Sequence, residues 1–250
     1  MKTEKLQKVI ADTGFASRRK AEELIKQQRV QVEGKIANIG MRVEKTVKIT
    51  VDNQNIVPEK NPSSTQLSLK NRKLPTRKII LYNKKIGEVC STIDANKRPI
   101  VFQNLPVLNE GRWIMVGRLD INTSGLLLFT NDGDLANFLM HPKNKIEREY
   151  IVTLKCVLTA EQVKNLTAGV VLEDGFAKFK KVQILKSTDN LTRLSVILCE
   201  GRNREVRRIF KNQNILVFKL KRIRFGDVTL PRDLEPGKFQ TCDKLLQMKT

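Results

Sequence analysis

The sequence predicts an α+β fold in two units: a small N-terminal module of two helices and a hairpin, then a larger domain with a largely antiparallel mixed sheet flanked by helices. Three observations carry this. Segments of helical period and of strand period are interspersed with no repeated strand-helix-strand unit, which argues against a parallel α/β sheet. Residues 53–77 lose all periodicity and hold Pro58, Pro62, Pro75, Ser63 and Ser64, the composition of a flexible linker. Finally, at 250 residues the chain is long enough for one large domain or two smaller ones and can bury roughly 70 to 75% of its unfolded surface without cross-links. The expected boundaries are therefore 1–52, a linker over 53–77, and 78–250.

Taken in order, Leu6, Val9 and Ile10 mark one face of a helix over Lys5 to Thr13, which Gly14 stops. Ser17 suits the N-cap of a second helix from Arg18 to Gln27, with Ala21, Leu24 and Ile25 inward. Arg29 to Val32 and Lys35 to Ala37 read as a hairpin about Glu33-Gly34, and Val47 to Val51 as a further strand. Beyond the linker, strands are expected over Lys78 to Tyr82, Trp113 to Val116, Leu126 to Phe129, Glu149 to Val157 and Leu191 to Leu198. Helices are expected over Asp134 to Met140 and Thr159 to Leu166. Val206, Ile209 and Phe210 give the apolar face of one more.

The charge narrows the function. Lys and Arg number 47 against 26 Asp and Glu, a net charge of +21, while 40% of the residues are hydrophobic. A disordered basic tail would lack so large an apolar fraction, so this is a folded protein with a polyanionic partner, nucleic acid first. The cysteines at 90, 156, 199 and 242 form no CxxC pair and there is one His, which leaves no ligand set for zinc or an iron-sulfur cluster. No run approaches the roughly 20 apolar residues of a membrane span, and a reduced, cytoplasmic protein is expected.

Chemistry concentrates in Gly117 to Asp132, GRLDINTSGLLLFTND. Its polar half holds one acid, Asp120, between Arg118 and a Thr123-Ser124-Gly125 turn; its apolar half is a buried strand. Asp120 thus sits on a loop at the rim of a core, where it either caps the backbone or acts on a ligand. Tyr150 opens a strand and is one of two tyrosines. His141, fixed by Pro142, reads as a helix-end residue. From Arg202 to Arg224 nine Lys or Arg stand against one acid, Glu205, either as a solvated basic face or as an RNA-facing surface. Arg18, Arg19 and Lys20 open a helix whose N-terminus is already positive, either as a solvated surface cluster or as an arrangement that suits a phosphate backbone.

GRLDxxTxGLLLFTNDG, followed by His141-Pro142, EREY at Glu147 to Tyr150 and EGRNREVRR at Glu200 to Arg208, resembles the pseudouridine synthases that act on ribosomal RNA, and within them the branch modifying the large subunit. The stretch from Glu4 to Val43 is similar to the S4 RNA-binding domain. The resemblance implies that Asp120 is the catalytic carboxylate. It also implies that Tyr150 lies against the target base and assists loss of the C5 proton, and that Arg207, last in a motif usually read Gly-Arg-x-His-Gln-Ile-Arg, pairs with Asp120. Arg204-Glu205 stands where many relatives carry His-Gln. Arg18, Arg19, Lys20, Arg118, Arg202, Arg204 and Arg208 are the expected RNA contacts.

Converting uridine to pseudouridine breaks the N1–C1′ bond and joins C5 to C1′ with no oxidation and no group lost, so neither metal nor cofactor is expected. It needs a carboxylate beside the sugar or base, and a carboxylate covered by a base stays ionised only with a cation beside it. Attack on C1′ and removal of the C2′ proton both remain open at this point. The target base must leave its stack, which is easiest in or beside a loop, so a stem-loop of 23S rRNA near the peptidyl-transferase region is the expected substrate. A non-catalytic RNA-binding or ribosome-assembly protein on the same fold is the second reading, and a DNA-compacting protein the third. A monomer is expected, because the charge opposes self-association.

Overall fold

The computed structural model describes residues 3–57, 76–109, 111–243 and 245. They divide into two compact units: one reaches Arg77 and includes Val107–Trp113, and the other comprises Lys78–Pro106 and the residues from Ile114 onward.

In the first unit, β1 (Glu4–Lys5) leads into α1 (Leu6–Asp12) and α2 (Arg18–Lys26), followed by β2 (Val30–Val32), β3 (Lys35–Ile36), β4 (Arg42–Val43), β5 (Ile49–Val51) and β6 (Gln54–Val57). Ser17 Oγ accepts the backbone N–H of Lys20 at 3.2 Å, the cap expected at the start of α2. The apolar faces of both helices, Leu6, Val9, Ile10, Ala21, Leu24 and Ile25, pack with Val30, Ile49 and Val51 of a four-stranded sheet ordered β3-β2-β5-β6. Glu33 (φ 49°) and Gly34 (φ 76°) close the β2–β3 hairpin in the left-handed conformation that matches strand twist.

Two boundaries differ from expectation. Residues 54–57 are not linker: β6 pairs antiparallel with β5, because Asp52 and Asn53, both at positive φ, turn the chain straight back. Residues 58–75, the remainder of the expected linker up to Pro75, lie outside the described residues. Val107–Trp113 belongs with the first unit; a Cβ on Gly14 would stand 2.5 Å from the Gly111 Cα, so a glycine at 14 makes this approach of backbones possible.

The second unit is built on β7 (Ile79–Lys84), β8 (Ile114–Val116), β9 (Thr123–Thr130), β10 (Arg148–Leu154), β11 (Val170–Leu172), β12 (Gly175–Ala177), β13 (Lys181–Thr188), β14 (Leu191–Leu198), β15 (Val217–Phe225), β16 (Val228–Thr229) and β17 (Phe239–Thr241). Its helices are α3 (Gly133–Met140), α4 (Ala160–Ala168) and α5 (Glu205–Asn212). The main sheet runs β13-β14-β10-β15-β9-β7-β17, with β8 on β9 and β16 on β15. Only the β15–β9 pairing is parallel among its described strands.

Leu126 to Phe129 are fully buried, as their unbroken apolar run requires of a strand covered on both faces. The strand starts earlier than expected, at Thr123, so Thr123-Ser124-Gly125 is not a turn; the turn is Asp120 to Thr123, closed by Thr123 N–H donating to the Asp120 carbonyl at 3.0 Å. Gly125 (φ 100°) is required in that strand: a Cβ there would meet the Arg222 carbonyl oxygen at 2.2 Å. α3 lays Leu135, Ala136 and Leu139 on Leu126 and Leu128. Asp132 caps it by accepting from Asp134 and Leu135 N–H, both at 2.9 Å. His141 forms its C-terminal boundary and accepts from Lys143 N–H, the structural role expected of it.

Candidate active site

One cleft of about 800 Å³ in the second unit gathers the sequence motifs. The Gly117–Asp120 loop and Thr123 form one wall, and Arg148 and Tyr150 of β10 with Leu220 and Arg222 of β15 form the floor. The Gly201–Arg207 segment closes the other side. Motifs far apart in sequence converge because β9, β15 and β10 are adjacent in the sheet.

Asp120 is half-buried on its turn. Its nearest cation is Arg204, whose Nη1 stands 3.7 Å from Asp120 Oδ2; the two side chains are 48% and 27% exposed. The expected pairing of Asp120 with Arg207 is not made in this structure. Arg207 donates from Nη1 to the Val217 carbonyl and from Nη2 to the Asn122 carbonyl, both at 2.9 Å, so its guanidinium bridges the turn after Asp120 to the start of β15. Burial pushes the Arg207 pKa down and the proximity of Arg204 adds to this, with Asp120 acting in the opposite direction.

Arg204 reaches Asp120 from a strained position: it is the residue before α5 and sits at φ 49°, unusual for a side chain of this size. Glu205 explains what holds it. Its carboxyl, 4% exposed, turns back to accept the Arg202 N–H at 3.2 Å, and burial pushes its pKa up. Tyr150 is 8% exposed with its ring in the cleft.

Two of the expected RNA contacts, Arg208 and Arg202, are engaged within the protein. Arg208 makes a two-pronged ion pair with Asp174 at 2.8 and 2.7 Å. Arg202 Nη1 donates to the same carboxylate at 3.2 Å and Nη2 to the Phe176 carbonyl at 2.5 Å. Both guanidiniums thus clamp the tip of the β11–β12 hairpin, because Asp174 sits in its turn. Arg118 and Arg204 remain exposed at the cleft. Arg18 and Arg19 are exposed at the start of α2 in the first unit, while Lys20 is exposed but paired with Glu23 at 3.0 Å.

Sequence reasoning missed three buried cations that build the site. Lys84 has no exposed surface; its Nζ donates to the Lys85 and Thr123 carbonyls at 2.9 Å and to the Ile121 carbonyl at 3.4 Å, holding the turn that carries Asp120 from beneath. Burial pushes its pKa down, against the attraction of Cys90, Glu88 and Asp120. Arg222, 2% exposed, donates from Nε to the Leu126 carbonyl at 2.8 Å. Arg148 spans from β10 to the Cys199 and Glu200 carbonyls at 2.6 and 3.1 Å, anchoring the turn before Gly201. The available signal was a cation at a strand position whose alternating neighbours, Ile80 and Tyr82 for Lys84, are apolar.

Residues 78–212 match the family model described as RNA pseudouridylate synthase, and residues 4–49 match that of the S4 domain. The chain belongs to the RNA pseudouridylate synthase family. Among members of that family, it is 45% identical over 242 residues to the ribosomal large subunit pseudouridine synthase B of Pseudomonas aeruginosa, covering 96% of this chain and 60% of that protein. It is 44% identical to the protein of the same description in Salmonella typhi, over 96% of this chain and 80% of that one. The chain spans 49% of the length of the Xylella fastidiosa relative that it matches at 45% identity. A solved pseudouridylate synthase crystal structure aligns over 95% of both chains with a TM-score of 0.64 at 26% identity.

Proposed function

We propose that this chain converts a uridine of 23S ribosomal RNA, in a stem-loop near the peptidyl-transferase region, to pseudouridine, with Asp120 as the catalytic carboxylate. The observation that carries the reading is the setting of Asp120: it stands half-buried at the rim of a cleft, its nearest charged partner is a cation, and the Tyr150 ring lies in the floor of the same cleft. The names and identity of the relatives supply the substrate class. The target nucleotide, turned out of its stack, fits a pocket of this size, with its uracil on Tyr150 and its sugar towards Asp120.

The reaction breaks N1–C1′, rotates the detached uracil, forms C5–C1′, and moves one proton from C5 to solvent while N1 gains one. No atom is lost and no electron is transferred, so the residues present suffice. Asp120 acts either by attacking C1′ or by taking the C2′ proton to give a glycal; both routes begin from the ionised carboxylate, which Arg204 favours. Tyr150 keeps the free uracil in the cleft and assists removal of the C5 proton. Arg118 and Arg204 face the phosphates beside the target, and the exposed Arg18-Arg19-Lys20 corner of the S4 unit grips RNA elsewhere. The enzyme works as a cytoplasmic monomer.

The test is Asp120→Asn beside wild type on protein-free large-subunit rRNA and on assembly intermediates, with pseudouridine mapped by base-specific chemical labelling. One new site with wild type and none with the variant, at equal RNA affinity, is the expected result. No new site with wild type on any substrate would leave a binding or assembly protein on this fold.

A further inference from the structure

The two faces of the large sheet differ sharply in character. On the cleft side, Tyr150, Val152 and Leu154 of β10 and Leu194 and Val196 of β14 are buried. The alternate residues point the other way. There, Ile151 and Thr153 are half-buried and Arg193, Lys219 and Lys221 are exposed. Strand register lines them up: Lys186 lies opposite Arg193, Arg193 opposite Thr153, and Thr153 opposite Lys219, so three cations share one row across four strands. Lys221 lies in the next row, opposite Ile151.

Strands β13, β14, β10 and β15 contain a single carboxylate between them, Glu149. It is already engaged, accepting from Ser195 Oγ at 2.7 Å and Arg224 Nε at 2.9 Å. Like charges directly opposite in a sheet, as in Lys186 and Arg193, are destabilising, so this row carries a cost that a polyanion would relieve. At its end a register shift leaves Phe218 without a partner strand residue, since Thr153 pairs with Lys219 and Leu154 with Val217. Such a bulge re-aims its side chain. Phe218 is 49% exposed, with Lys155 Nζ 4.1 Å and Lys219 Nζ 5.5 Å from its ring centre.

We propose that this open sheet face is a second RNA-binding surface, which takes an unpaired stretch of the substrate away from the target uridine. One base stacks on Phe218, and the flanking phosphates run along Lys219, Lys221, Arg193 and Lys186. An exposed aromatic ring between lysines on a sheet is the combination that binds single strands, because every base has a face to stack and every nucleotide a charge to neutralise. An acidic protein segment would use the cations and leave the ring unexplained. The inference rests on RNA being the substrate, and it gives the enzyme a reason to prefer long rRNA over an excised stem-loop.

The test compares the full-length chain with Phe218→Ala and with the triple variant Arg193→Gln, Lys219→Gln, Lys221→Gln. Each is first checked for an unchanged thermal transition, then measured on a long protein-free large-subunit rRNA fragment and on the short stem-loop around the mapped uridine. Either variant is expected to bind the long RNA at least tenfold more weakly while modifying the short stem-loop at the wild-type rate. The triple variant should also lose about 2 from the slope of log affinity against log salt, at about 0.7 for each single-strand phosphate contact. Equal binding of the long RNA by wild type and variants overturns the proposal, and is the outcome if the face holds an acidic protein. An equal loss on both RNAs also overturns it, by making the face part of the target site. Should wild type modify no uridine, the isomerase reading fails on its own, and the long-RNA binding comparison still decides the fate of this surface.

Discussion

Replacing Arg204 and Arg207 separately by Met should damage different things. Arg207 holds two backbone carbonyls, one bond partly buried and one exposed. A hydrogen bond from a charged donor contributes about 1.5 to 3 kcal/mol, less where water competes, so Arg207→Met should cost about 2 to 3 kcal/mol. For a domain of this size that lowers the melting temperature by roughly 4 to 12 °C. Arg204 and Asp120 are 3.7 Å apart and both reach water. In the free protein such an exposed pair contributes less than about 1 kcal/mol. Once a base and its sugar exclude water, the same separation at an effective dielectric near 20 gives an attraction of about 4 kcal/mol. Arg204→Met should therefore leave the melting temperature within about 3 °C of wild type and slow single-turnover pseudouridine formation by roughly 10² to 10³-fold. Thermal unfolding and single-turnover kinetics on one rRNA substrate measure both. The reasoning is refuted if Arg207→Met keeps native stability but loses activity while Arg204→Met works normally; Arg207 would then swing to Asp120 in the working complex, as the motif suggested.

Three further outcomes follow from buried geometry and charge. Lys84→Met removes the donor from three carbonyls beneath the Asp120 turn and is expected to destabilise by about 1 to 3 kcal/mol and slow catalysis, read as a lowered denaturant midpoint together with a lowered kcat at unchanged RNA affinity. Gly125→Ala forces a Cβ to 2.2 Å from the Arg222 carbonyl oxygen at φ 100°, so a loss of about 3 kcal/mol or more is expected in chemical denaturation, and a midpoint within error of wild type would contradict the parallel β9–β15 pairing. Asp94, hydrogen-bonded to Arg98, has its pKa pushed down to about 2; because the folded value lies below the ordinary 3.8, the pair's contribution is complete above that pH and fades as pH falls towards about 2, which NMR titration of the Asp94 carboxyl would show.

Much of this molecule is legible in its sequence where one physical signal acts alone. Leu6, Val9 and Ile10 could face only inward on a helix, and Leu126 to Phe129 only lie in a buried strand; both do. What was not legible came from competition between signals. Val217 to Phe225 alternates Lys and Arg with Leu, Ile and Phe, and its charge density masked a nine-residue central strand. The reason becomes visible only in three dimensions: Arg222 is interior, bonded to the Leu126 carbonyl, while Lys219 and Lys221 are exterior. A strand can carry cations on both faces when one face has backbone acceptors for them. β13 escaped notice for the opposite reason, since as an edge strand it is exposed along most of its length and shows no clean alternation.

The same division governs the site. Asp120, Tyr150 and the Gly201–Arg207 segment were marked by motif, and the cleft unites them. Motif spacing could not tell which arginine meets the carboxylate, because that depends on where each guanidinium finds its acceptors. Arg202, Arg204, Arg207 and Arg208 sit within seven residues, yet two hold Asp174, one holds two backbone carbonyls and one faces Asp120. Two of the four are engaged by Asp174, and the salt dependence of binding should reflect chiefly the cation that stays exposed at the cleft. In this motif that is Arg204, whose left-handed backbone sets it apart from the helix that carries Arg207 and Arg208. The strain at φ 49° is held by Glu205, buried and bonded back to the Arg202 N–H, so the Arg-Glu pair found in place of His-Gln is one device: the glutamate fixes the turn and the arginine, aimed by it, supplies the charge beside Asp120.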